Sequence, residues 1–168
     1  MMKRLTSLLI MSVPVIVYAA SHSPDDSFYK DAAEGGMAEV EQGKLAQDKG
    51  QSAAVREFGA RMVKDHSAAN DKLKALAAQK GIDLPTSPSM GEMASTEKLK
   101  MLSGDSFDKS YIKGMIEDHE QDIAKFEKEA RSGKDPDARA FASATLPTLK
   151  SHLSMIRSIA ANAGIDKS

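Results

Sequence analysis

Residues 50–83 read GQSAAVREFGARMVKDHSAANDKLKALAAQKGID, and residues 133–166 read GKDPDARAFASATLPTLKSHLSMIRSIAANAGID. Laid on one another without gaps, 83 residues apart, they put Gly50 on Gly133, Arg56 on Arg139, Phe58 on Phe141 and Leu73 on Ile156. Both stretches end on the same tripeptide, Gly81-Ile82-Asp83 and Gly164-Ile165-Asp166. The same shift continues upstream, setting Phe28 on Tyr111, Glu34 on Glu117 and Glu39 on Asp122. Identity is low, but turn glycines and ends align together, which is the mark of an internal duplication. Each copy is a pair of helices around a short turn.

The helices follow from apolar residues recurring at about 100° per residue. The first runs from Ser27 to about Lys49, with Phe28, Ala32, Gly35, Glu39, Gly43 and Ala46 on one face. Ser52 is placed to cap a second helix that ends at Gly81, a glycine suited to the left-handed residue after a helix. The third long helix covers about Asp105 to Arg131 and the fourth about Asp137 to Ala163, with Pro147 expected to kink it. Between the hairpins, residues 81–104 form a linker that is long for a bundle, with a short helix expected near Thr96 to Leu102. Two αα-hairpins joined across the bundle make the expected fold all-α, a ferritin-like four-helix bundle.

Outside this domain, placed at residues 27–164, the chain begins with Lys3 and Arg4, an apolar stretch from Leu5 to Val17, and small Ala19 and Ala20. That is the layout of a secretory signal peptide over residues 1–19, cut after Ala19 or Ala20, with a polar tail at 20–26. With Lys3 and Arg4 gone, the formal charge moves from −1 to −3. Nothing in that balance suggests nucleic acid or an anionic membrane. An exported chain with no cysteine has no disulfide, no thiolate metal site and no lipoprotein anchor. With no further stretch long enough to span a bilayer, the expected location is the bacterial periplasm. A protein partner or a second copy of the chain is left open.

The segments AAEGGMAEVEQGKLA (32–46), VREFGARMVKDHSAANDKL (55–73), FDKSYIKGMIEDHEQDIAKFEKEA (107–130) and ARAFASATLPTLKSHL (138–153) resemble a large family of exported bacterial proteins. That family is known only as a domain of unknown function within the ferritin-like superfamily, and its members often carry the label "predicted outer membrane protein". The resemblance spans about residues 27 to 160. It implies the bundle and export, and supplies no activity; nothing in the chain looks like an outer-membrane barrel.

Four titratable residues sit on apolar helix faces: Glu39, His66, His119 and His152, one from each long helix. Polar groups aimed into a bundle are costly unless paired or bound to something. Imidazole and carboxylate together suit Zn, Fe, Cu or Ni, with Asp122 placed at the face edge to orient His119. The plainer alternative is a buried hydrogen-bond network, in which Glu39 pairs with one histidine and no metal is held. The duplication does not relate the histidines to each other, since His66 aligns with Leu149, His119 with Gly36 and His152 with Ala69. A di-iron centre is excluded, because Val63, Ile116 and Leu149 stand where Glu-x-x-His would need glutamate.

Two further metal leads are weaker. Cleavage after Ala19 would start the chain Ala20-Ser21-His22, a Cu(II)- or Ni(II)-binding spacing, and the linker methionines Met90, Met93 and Met101 are soft donors for Cu(I). Asp65 and Asp118 are read as boundary residues, and Glu57/Arg61 and Lys125/Glu129 as surface pairs at i,i+4. No nucleophile elbow, phosphate loop or basic groove is present. The function expected is therefore that of an exported bundle without a recognisable catalytic motif, either metal-binding or a structural or stress-related envelope interaction protein, with a redox enzyme on the same scaffold as a weaker third reading.

Overall fold

A computed structural model describes residues 25–165, and all of its regular structure is helical. The expected signal peptide and the Ala20-Ser21-His22 start lie outside the described residues. Four long helices, α1 (Asp26–Lys49), α2 (Ala53–Lys80), α4 (Gly104–Ser132) and α5 (Pro136–Asn162), form the bundle, and α3 (Met90–Lys100) lies in the connection. Helix α1 packs on α2 and α4, and α5 packs on α4 and α2, while α3 rests against α1 and α4.

The helix ends follow local chemistry. Ser52 caps α2 by accepting the Val55 N–H at 3.2 Å, and Asp135 caps α5 through Asp137 N–H at 2.9 Å, with Pro136 in the first turn. Gly81 and Gly164 both adopt the left-handed conformation, φ 66° and 62°, which a side chain would oppose. Helix α3 begins at Met90, six residues before its expected start. Ser89 and Glu92 form a reciprocal capping box there, which sets the start. Helix α5 continues without a break through Pro147.

Packing divides the core into two apolar ends. One contains Val55, Phe58, Met62, Tyr111, Met115 and Ile156. The other contains Phe28, Leu73, Ala77, Phe126, Phe141 and Leu149. The 83-residue shift exchanges the two ends, Phe58 for Phe141, Tyr111 for Phe28 and Ile156 for Leu73. The two ends meet at Ile123, which packs against both. In the first hairpin the helices touch backbone to backbone: a Cβ on Gly59 would stand 2.6 Å from the Gly43 carbonyl. No described helix is long and apolar enough to cross a membrane.

Candidate metal centre

His66 follows Met62 by one turn on α2, His119 follows Met115 on α4, and His152 lies beside Leu149 and Leu153 on α5. The helical period that buries those apolar residues also carries the three rings inside. His119 and His152 are fully buried and His66 nearly so, with Glu39 of α1 equally enclosed. Together they form a polar layer between the two apolar ends.

Each ring has one nitrogen engaged. His66 Nδ1 lies 2.7 Å from Glu39 Oε2. His119 Nδ1 lies 2.9 Å from the Met115 carbonyl, with Glu39 Oε1 farther off at 3.6 Å. His152 Nε2 lies 2.9 Å from Asp65 Oδ2, and Arg61 Nε braces the same oxygen at 3.3 Å. A carbonyl only accepts, so His119 carries its proton on Nδ1 and its lone pair on Nε2. Burial opposes charge on Asp65, but the His152 and Arg61 bonds prevail and hold its carboxyl below the usual range. His152 therefore donates from Nε2 and keeps its lone pair on Nδ1.

That assignment leaves a conflict. His119 Nε2 and His152 Nδ1 face each other at 3.3 Å, and each presents a lone pair. A shared proton would reconcile them, but burial pushes His119 down to about 4 and also lowers His152 despite its carboxylate. Both shifts disfavour that proton. His66 Nε2, also buried, has no hydrogen-bond partner. One ring nitrogen from each of the three histidines lies within 4.8 Å of the others.

Imidazole–metal bonds are about 2.0–2.1 Å, so nitrogens 3.3 Å apart subtend close to the tetrahedral angle at a shared ion. The third nitrogen, within 4.8 Å of the other two, must draw inward to share the same ion. Burial raises Glu39 to about 7 and lowers His66 to about 4. For His66 Nε2 to hold an ion, Nδ1 must donate to an ionised Glu39. The donor set fits a borderline transition-metal ion.

A family profile described as a domain of unknown function, DUF4142, matches residues 17–159. The chain belongs to that family. No curated protein matches it. Among solved structures, this DUF4142 chain is similar to a putative secreted DUF305 protein from Streptomyces coelicolor, with a TM-score of 0.73 at 16% identity over 87% of this chain and 97% of the other. A DUF305 fragment from Deinococcus radiodurans gives 0.72 at 14% identity, covering 83% and 97%. CopM in its Cu(I)-bound form gives 0.67 at 13% identity, covering 82% and 96%. These likenesses place the chain among helical bundles.

Four of the five residues expected at the site, Glu39, His66, His119 and His152, meet there. Asp122 does not orient His119, whose Nδ1 is taken by the Met115 carbonyl; its own carboxylate lies 3.6 Å from Lys125 Nζ. The orienting carboxylate is Asp65, on His152, and its readable signal is Arg61 one turn earlier on the same face. Arg61 accordingly pairs with Asp65 and not Glu57, and Lys125 turns to Asp122 and not Glu129. Met90 and Met101 are largely exposed and Met93 about two-fifths so, away from the histidine layer.

Proposed function

We propose that this DUF4142 chain is an exported bundle, acting in the periplasm, that binds one transition-metal ion through His66, His119 and His152. Glu39 fixes the tautomer of His66, Asp65 that of His152, and the Met115 carbonyl that of His119. The observation that carries this reading is the 3.3 Å approach of His119 Nε2 to His152 Nδ1 while the opposite nitrogen of each ring bonds to an acceptor, which leaves two lone pairs facing. A cation between them turns a repulsion into two bonds. The unpartnered His66 Nε2 is the natural third donor.

An envelope interaction protein with a closed hydrogen-bond network is the alternative. It accounts for the Glu39–His66 and Asp65–His152 contacts but leaves those three nitrogens without protons to share. Copper is the first ion to try, since a neighbour of the same fold holds Cu(I), with zinc, iron and nickel after it. The test is metal analysis of protein purified from the periplasm beside a His66→Ala/His119→Ala variant. About one ion per chain in the parent and none in the variant is the expected result; equal content in both overturns the site.

A further inference from the structure

The histidine layer borders the partly exposed Asp65–Arg61 pair through His152 and, beside Glu39, an acidic recess. A cavity of about 400 Å³ is bordered by α1, the start of α3 and α4, and Glu39, Glu92, Asp118, Asp122 and Lys125 line it. A second, smaller cavity of about 20 Å³ is lined by Glu39, Asp122 and His66 together with apolar residues such as Leu73, Phe126 and Phe141. That is room for one water-sized particle. Glu39 and Asp122 are the residues common to both spaces. Glu39 borders both spaces: Oε2 holds His66 Nδ1, while Oε1 is buried without a hydrogen-bond partner.

The four carboxyls do not gather into a site of their own. Among the described residues, the group whose ligand atoms converge within 4.8 Å is the three histidines. Carboxylates spread along a cleft with low-dielectric walls instead focus the field and raise the local cation concentration. Lys125 offsets one of them. We propose that this recess is the inlet for the metal: Glu92, Asp118 and Asp122 draw a divalent cation inward, and Glu39 Oε1 hands it to the imidazoles. This rests on the three-histidine site proposed above.

Gly35 stands at the mouth. A Cβ there would lie 3.6 Å from Glu92 Oε1 and 3.9 Å from Asp122 Oδ2, so alanine fits and a longer chain fills the opening. The experiment follows Co²⁺ loading of the full protein by visible absorption in stopped flow. The assay runs at low salt, where the field of the carboxylates is least screened, and at about pH 8.

Glu92→Gln/Asp118→Asn should load at least about tenfold more slowly, with a flattened salt dependence and the same final stoichiometry. Gly35→Leu should slow loading by about as much while keeping the parent's salt dependence, and Gly35→Ala should load within about twofold of the parent. Loading of both the double variant and Gly35→Leu within about twofold of the parent, at full stoichiometry, overturns the inlet and leaves the histidine site standing. A parent that takes up no Co²⁺ overturns both. Full final stoichiometry in a variant also shows that it has folded.

Discussion

Asp25 and Asp108, 83 residues apart, perform the same task at opposite ends of the bundle. Asp108, at the start of α4, accepts the backbone N–H groups of Gln51 and Ser52, both at 2.9 Å. Asp25, just before α1, accepts those of Lys134 and Asp135 at 2.7 and 2.5 Å. Each carboxylate thus ties the first helix of one hairpin to the turn of the other. The turns match in a second way, since Arg56 reaches the Gly50 carbonyl at 2.8 Å and Arg139 the Gly133 carbonyl at 2.9 Å. The repeat in the chain is a repeat in the fold.

Removing either clasp strands two backbone donors and loses charge-assisted bonds. Asp25→Ala and Asp108→Ala should each lower unfolding free energy by about 1–3 kcal/mol. The clasps are far apart, so the double variant should show nearly the sum. Urea unfolding measures this, and a double variant no less stable than either single one would contradict two independent clasps.

In the metal-free protein, His119→Leu removes one of two opposed lone pairs, and that relief offsets the lost Nδ1 bond to the Met115 carbonyl, which keeps its helical N–H partner. Its stability should stay within about 1 kcal/mol of the parent, whereas breaking a satisfied buried bond would cost about 1–3 kcal/mol. Thermal unfolding after exhaustive chelation distinguishes the two. A large loss would favour the closed network over the metal site.

Asp65→Asn keeps the shape of the group on His152 but weakens its hold on the Nε2 proton. Metal affinity should fall by about 10–100-fold. Competition against a chromogenic chelator reads this directly; unchanged affinity would mean that Asp65 does not tune the ligand.

Asp118 and Asp122 are both pushed up to about 7, first by burial and then by Glu39 and neighbouring carboxyls. A carboxyl raised on folding contributes stability at low pH that is lost as pH rises through its folded value. The lowered histidines act with the opposite sign between about 4 and their ordinary value; His119 is common to variant and parent, whereas His66 loses the Asp122 charge that favours its protonation. Asp118→Asn/Asp122→Asn should therefore gain on the parent by about 2–4 kcal/mol between about pH 4 and pH 8. Denaturant titrations at the two ends of that range check it, and a gain in the reverse direction would refute the assignment.

Gly59→Ala puts a methyl group 2.6 Å from the Gly43 carbonyl and 2.7 Å from Ala46 Cβ. The α1–α2 hairpin must spread, at a cost of about 1–3 kcal/mol. Calorimetry that finds the variant as stable as the parent would show that the close approach is not required.

What the residues settled by themselves is local. Periodicity, the Ser52 cap, the Gly81 stop and the repeated Gly-Ile-Asp depend on neighbours within one or two turns, and so the bundle, its hairpins and the inward faces of Glu39, His66, His119 and His152 were legible. The start of helix α3 at Met90 is written just as locally, in the Ser89–Glu92 capping box.

Convergence is another matter. Whether inward nitrogens on three helices meet depends on how the helices are rotated and staggered, and packing of the two apolar ends sets that. Tertiary structure also decided the tautomers: Asp65 reaches His152 across 87 residues, while the Met115 carbonyl takes the proton position expected for Asp122. A helix face can be read from one strand of sequence; the direction of a lone pair needs the partner that fixes the opposite nitrogen.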